Sequence, residues 1–226
     1  MSEHLAVLHE DNHLLVVDKP AGLATMGGRP GEPSLVEQVR SHLREKYAKP
    51  GNVYVGVVSR LDAPASGAIV FARTSKAARR LTDLFAGGGV EKTYWAVVEG
   101  RPSPRDGSCV DWIVKDEPNQ KMKVVSSRVG RAKEARLAYR TLHGLDGAGA
   151  AFVEVALATG RKHQIRVQLS SRGWPILGDR KYGSRRPFPG IALHARRLAF
   201  EHPVRKTPIE IVAPAPASWR SFAVPA

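Results

Sequence analysis

In the stretch VSRLDAPASGAIVFARTS, residues 58–75, a cation and a carboxylate, Arg60 and Asp62, stand two residues apart. A Pro-Ala-Ser-Gly turn follows, then the apolar run Ala68–Ala72. Asp favours such turns for its own hydrogen-bonding reasons, so a solvated turn with a chance ion pair is one reading. A carboxylate held at the mouth of a buried strand is the other, and it can act as a nucleophile or base if a cation keeps it ionised. A second concentration of chemistry lies in ATGRKHQIRVQLSSRG, residues 158–173. If this is a helix from Lys162, His163 and Arg166 share a face, with Ile165 and Leu169 toward a core. An Arg rooted in this way can hold a carboxylate by a bidentate bond. The turn-rich GDRKYG that follows adds Arg180 and Lys181, and Arg185 and Arg186 come directly after it.

Other chemistries leave no trace. There is no H-x-E with P-C-x-x-C, no G-x-S-x-G elbow, no phosphate-binding glycine loop with a lysine and no H-E-x-x-H. The eight histidines are scattered and Cys109 is the single cysteine, so no metal site, intramolecular disulfide or cysteine nucleophile is expected.

The net charge of +14 is unevenly placed. Residues 1–113 carry 14 basic and 13 acidic side chains, whereas residues 114–226 carry 21 and 8. A one-sided positive field of that size points to a polyanion, and nucleic acid is the expected partner. The N-terminus, MSEHLAVLHEDNHLLVV, lacks the basic start and long apolar core of a signal peptide. No apolar run approaches the ~20 residues of a membrane span. The expectation is a cytoplasmic protein with no membrane association.

The elements that must position these residues follow from pattern. Strands are predicted at 13–19, 53–58, 68–72, 93–98, 135–142, 152–157, 193–201 and 209–212. Helices are predicted at 34–47, opened by a Ser34/Glu37 capping box, at 75–85, stopped by Gly87–Gly89, and from Lys162 to Ser171. Residues 114–134 read as a long exposed hairpin or loop. Many strands, few helices and no βα alternation predict an α+β fold, a mixed and largely antiparallel sheet with flanking helices, in one domain spanning 1–226.

Five segments, in order, resemble the RluA-type RNA pseudouridine synthase family. They are DNHLLVVDKPAGL, SRLDAPASGAIVFA, EKTYWAVVEG, TGRKHQIRVQLSSRGWPILGDRKYG and LHARRLAFEHP. Ser59 stands where the family usually has His, and Ala65 where it usually has Thr. The resemblance implies the pseudouridine synthase catalytic fold and isomerisation of specific uridines in ribosomal or transfer RNA stem-loops. It implies Asp62 as the catalytic carboxylate, Arg166 as its partner, and Tyr94 as the ring that stacks on the target base. Arg60 fits the task of occupying the space a displaced uridine leaves. Arg161, Lys162, His163, Arg180, Lys181, Arg185 and Arg186 are the expected RNA contacts. No metal, nucleotide or redox cofactor is implied, because an isomerisation exchanges no atoms, and a monomer is expected. The alternative is a catalytically inactive RNA-binding member of the same fold.

Overall fold

The computed structural model describes residues 5–27, 31, 34–48, 50–145 and 149–222. In chain order its elements are β1 (Val7–Glu10), β2 (Leu14–Lys19), α1 (Leu35–Lys46), β3 (Gly56–Val57), β4 (Ser66–Ala72), α2 (Ser75–Ala86), β5 (Val90–Glu99) and β6 (Asp106–Asp116). There follow β7 (Lys121–Val125), β8 (Lys133–Leu145), β9 (Ala150–Leu157), α3 (Gln164–Ser170), β10 (Leu193–Glu201) and β11 (Pro208–Val212). Two short 3-10 helices, Arg180–Tyr182 and Ala217–Phe222, complete the set. None of the described helices is long and apolar enough to cross a membrane.

The chain divides into two compact units, one of Met1–Glu91 with Ala195–Pro214 and one of Lys92–His194 with Ala215–Ala226. It passes from the first to the second inside β5 and returns inside β10.

In the first unit β1, β2, β4 and β10 are neighbours in that order. β11 pairs with β10 and β3 with β4. β1 with β2, β2 with β4, β3 with β4, and β10 with β11 are all antiparallel pairs. β2 and β4 carry the apolar runs Leu14–Val17 and Ala68–Ala72, covered on both faces, and strand periodicity sorts these side chains into two cores. Leu15, Val17, Ile69 and Phe71 meet Leu35, Val36, Val39 and Leu43 of α1. Leu14, Val16, Ala68 and Val70 meet Ala77 and Leu81 of α2, with Leu198, Phe200 and Ile211. The capping box at α1 forms: Glu37 Oε2 accepts from Ser34 N at 2.6 Å and from Ser34 Oγ at 2.8 Å. The predicted strand 53–58 shrinks to the two residues of β3. Val53 and Val55 are buried against α1 but make no ladder.

In the second unit the order is β5-β9-β8-β6-β7, every pair antiparallel. The hairpin or loop predicted at 114–134 holds the β6–β7 hairpin and the start of β8. It is tied down at Met122, whose N–H donates to Tyr182 Oη at 2.9 Å, and Met122 and Val124 pack with Ile113, Ala135 and Val167. α3 differs from expectation. It starts at Gln164, not Lys162, because His163 takes a left-handed backbone with φ of 53°. Six consecutive residues, Gln164 to Leu169, are buried, so α3 is enclosed on all sides. His163 and Arg166 therefore do not share a helix face.

Candidate active site and basic loops

Asp62 lies in the first unit, on the eight-residue connection from Val58 to Ala65, which is held on both sides of Asp62. Before Asp62, the buried Thr25 hydroxyl donates to Leu61 O at 2.9 Å and accepts from Leu61 N at 3.2 Å. After it, Ala63 O accepts from Lys19 Nζ at 3.0 Å and from Gly22 N at 2.8 Å. Ala65 N closes the turn on Asp62 O at 3.0 Å. The exit is equally constrained. Gly67 has φ of +112°, and a Cβ there would meet Ala195 O at 2.4 Å and Ala195 N at 2.5 Å, so only glycine fits.

Lys19 is the centre of this construction. Its side chain is 0% exposed, and Nζ donates to three carbonyls, those of Pro20, Leu23 and Ala63, at 2.8, 2.8 and 3.0 Å. Burial pushes its pKa down to about 8, while the charges of Asp62 and Asp18 push back. The ammonium is thus a fixed positive charge that interacts electrostatically with the Asp62 carboxylate. The turn Pro20-Ala21-Gly22, with Gly22 at φ of +94°, curls the chain so that its carbonyls face Lys19. Leu35 N and Val36 N at the start of α1 donate to Ala24 O and Thr25 O. Neither Lys19 nor Thr25 was singled out as a site residue from sequence. The available signal is a lysine that, with Asp18, ends the apolar run Leu14–Val17, where a charge is not expected without a task. Arg60, two residues before Asp62, is exposed.

The remaining candidates lie in the second unit. Tyr94 is half-buried on β5, opposite Val155 of β9. Arg166 is 5% exposed, and its Nε and Nη2 donate to Asp179 Oδ2 and Oδ1 at 2.7 and 3.0 Å. Asp179 is 1% exposed. This bidentate bond is to a carboxylate of the GDRKYG segment, whereas the expected partner of Arg166 is Asp62. The Arg166 guanidinium also lies over the Tyr182 ring, 4.9 Å from its centre. His163 Nδ1 is 2.8 Å from Tyr182 Oη, so the left-handed turn before α3, the helix itself and the β6–β7 hairpin converge on one tyrosine. Gln164 fixes the preceding loop: its Oε1 accepts from Thr159 Oγ1 at 2.7 Å and from Arg161 N at 3.0 Å.

Arg161, Lys162, Arg180, Lys181 and Arg185 are exposed, and Arg186 is half-buried. Arg161 also donates from Nε to Glu134 O at 3.0 Å. The backbone of Arg185 and Arg186 is bound by Glu99, which lies just past the strand predicted at 93–98. An ionised carboxylate on a clamped loop beside a buried ammonium can attack an electrophilic carbon or take a proton. Exposed cations on fixed loops can contact phosphates.

Residues 13–171 match the family described as RNA pseudouridylate synthase. The chain is 35% identical over 215 residues to the dual-specificity RNA pseudouridine synthase RluA of Escherichia coli (strain K12), covering 93% of each. It is 35% identical over 224 residues to ribosomal large subunit pseudouridine synthase D of Zymomonas mobilis, covering 94% of this chain and 69% of that one. A solved structure, human RNA pseudouridylate synthase domain containing 4, is similar with a TM-score of 0.80 at 26% identity, covering 96% of this chain and 92% of that one.

Proposed function

The chain belongs to the RNA pseudouridylate synthase family, and from that premise we propose that Asp62 is the carboxylate that drives isomerisation of a uridine in a stem-loop of ribosomal or transfer RNA. Enzymes of this family convert uridine in RNA to pseudouridine, so RNA is the substrate. The observation that supports the assignment to Asp62 is the clamp: Thr25 holds Leu61 and Lys19 holds Ala63, so both neighbours of Asp62 are fixed in advance. Positioning before the reaction removes an entropic cost that a mobile loop would incur at every turnover.

The base must leave the nucleoside and rejoin it through carbon. A carboxylate can serve this by attack on C1′, by attack on the base, or by taking a proton from the sugar, and each route needs an ionised oxygen at Asp62. The Lys19 ammonium interacts electrostatically with the Asp62 carboxylate, and Arg166 is its family-implied partner. Tyr94 stacks on the target base and is placed to help move the C5 proton. Taking the uridine out of its stack costs a few kcal/mol, and Arg60 fills the space it leaves. Arg161, Lys162, His163, Arg180, Lys181, Arg185 and Arg186 bind the RNA backbone. Residues 1–226 act as one catalytic domain and as a monomer. The isomerisation exchanges no atoms with a second molecule, so the reaction needs no co-substrate.

Asp62→Asn tests this, being nearly isosteric but unable to act as a charged nucleophile or base. Pseudouridine formation in a substrate RNA is expected to fall below detection while RNA affinity stays within a few fold. Multiple turnovers by the purified variant, free of wild-type enzyme, would overturn the assignment.

A further inference from the structure

Glu99 ends β5 on the opposite strand face from Tyr94, and a single oxygen of its carboxylate collects three hydrogen bonds. Oε1 accepts from Ser184 Oγ at 2.5 Å, Arg185 N at 3.0 Å and Arg186 N at 3.0 Å, and Oε2 lies 3.4 Å from Arg185 N. Two successive backbone N–H groups turned toward one anion form a nest of the kind that ordinarily receives phosphate or a metal-bound anion. Here the protein fills it with its own side chain, 85 to 87 residues away in sequence.

The loop is held at other points too. Ser184 is 7% exposed, and its Oγ accepts from Gly178 N at 2.9 Å. Ser184 N and Tyr182 N both donate to Asp179 O. Gly178 has φ of +83°, and a Cβ there would meet Gly190 O at 2.5 Å, so the two ends of the loop touch. Phe188 lies against Phe222 with ring centres 5.5 Å apart. The segment from Gly178 to Gly190 is therefore a closed, braced loop that carries Arg185 and Arg186.

We propose that Glu99 is a positioning residue for RNA binding: by filling the nest it holds the backbone of Arg185 and Arg186 in the conformation that presents both guanidinium groups to RNA phosphates. This rests on the RNA-modifying function proposed above. Charge alone argues the reverse. A carboxylate beside a polyanion repels it, so its removal should tighten binding if Coulomb effects decide the outcome. The sign of the change separates the two accounts, because losing the brace leaves two long side chains and their backbone to be ordered on binding.

The test uses the full chain and a labelled RNA stem-loop with a uridine-rich loop, with affinity measured across a salt series. Glu99→Ala is expected to weaken binding several-fold to about tenfold, from the added cost of ordering the loop, and to lower the log–log salt slope by roughly 0.7–1.8, one to two phosphate contacts. In an Arg185→Ala/Arg186→Ala background the same substitution should change affinity by less than about twofold, since coupled residues act through one another. Glu99→Gln, which keeps one acceptor oxygen and the side-chain size, should fall between wild type and Glu99→Ala. It carries the test if the alanine variant does not fold. Unchanged or tighter binding by the folded Glu99 variants overturns the proposal. So does an equal loss in both backgrounds, which would mark Glu99 as structural only. Wild-type protein that does not bind the RNA would refute the RNA-modifying function itself, and this inference with it.

Discussion

Two loops, one in each unit, are fixed by anchors of opposite charge. The connection that carries Asp62 is held through its carbonyl oxygens by a buried ammonium, Lys19, with Thr25 beside it. The loop that carries Arg180, Lys181, Arg185 and Arg186 is held by carboxylates. Glu99 binds its backbone N–H groups, and Asp179, within the loop, grips Arg166 of α3. In both cases the anchor has the sign opposite to the side chains the loop presents. The reason is that one group then does two things. It satisfies backbone groups by charge-assisted hydrogen bonds, and it attracts the charged side chains nearby instead of repelling them. An anchor of like sign could do the first only by opposing the second.

The difference between Lys19 and Glu99 is burial. Lys19 is sealed from water, so its charge carries a desolvation cost, whereas Glu99 remains partly exposed. Anchors on the buried side should therefore matter more to stability, and anchors on the exposed side more to binding.

The largest stability effect is expected at the buried pair of the basic side. Arg166→Leu leaves Asp179 as a buried carboxylate stripped of its bidentate partner, a change that costs roughly 3–5 kcal/mol. Denaturant unfolding should show that loss, and on the proposed mechanism turnover should vanish as well. An equally stable Arg166→Leu would mean that the 2.7 and 3.0 Å bonds contribute nothing to stability.

Lys19→Met comes next and sharpens the comparison through pH. It leaves three carbonyls short of a donor, an expected loss of about 1–3 kcal/mol near pH 7. Lys19 has a folded pKa of about 8 against 10.5 for the ordinary side chain, so folding favours its neutral form. Between those values the unfolded chain holds a proton that the folded chain has released. Wild-type stability from this group therefore rises with pH from 8 to 10.5 and is lost as pH falls through 8. The full swing is about 3 kcal/mol. The gap between wild type and Lys19→Met should widen over that window. A gap that narrows as pH rises would mean Lys19 is not the desolvated ammonium described.

Thr25→Val is smaller, because it removes one hydroxyl that serves one residue in two directions. The expected cost is about 1–2 kcal/mol in stability. Turnover should fall while RNA affinity is unchanged, since Thr25 acts only through Leu61 on the placement of Asp62. A variant that loses RNA affinity and keeps its turnover rate would contradict that assignment.

The smallest effect on stability, and the cleanest on binding, belongs to Arg185, which is exposed, and Arg186, which is half-buried. Arg185→Ala/Arg186→Ala should leave the melting temperature nearly unchanged and lower the salt slope of RNA binding by roughly 1.4–1.8, two contacts at 0.7–0.9 each. Arg40→Ala/Arg44→Ala, on the exposed face of α1, should leave the slope where it was. Equal slopes for the two double variants would remove the one-sided footprint.

Local pattern was enough for the elements whose side chains answer only to their own periodicity. β2 and β4 read directly as buried strands because both faces are apolar, and α1 and α2 read from their stripes and caps. β6 escaped notice because its inward face carries Asp111, which breaks the apolar alternation. That charge is acceptable only because Arg172 Nη1 and Gln168 Nε2, about sixty residues on, reach it at 2.8 and 2.7 Å. The same limit applies at the candidate site. Asp62 could be singled out from its own turn, but the groups that hold that turn, Lys19 and Thr25, come from 44 and 36 residues earlier.

The sequence by itself determined the family, the charge asymmetry and the buried strands β2 and β4 of the first unit, because each rests on neighbouring residues or on composition. Only the tertiary structure decided that α3 begins one residue after a left-handed His163, that Asp179 grips Arg166, and that Glu99 braces Arg185 and Arg186. These depend on buried polar groups finding partners, and the partner of a buried charge is whichever group the fold brings within about 3 Å, however far away it lies along the chain.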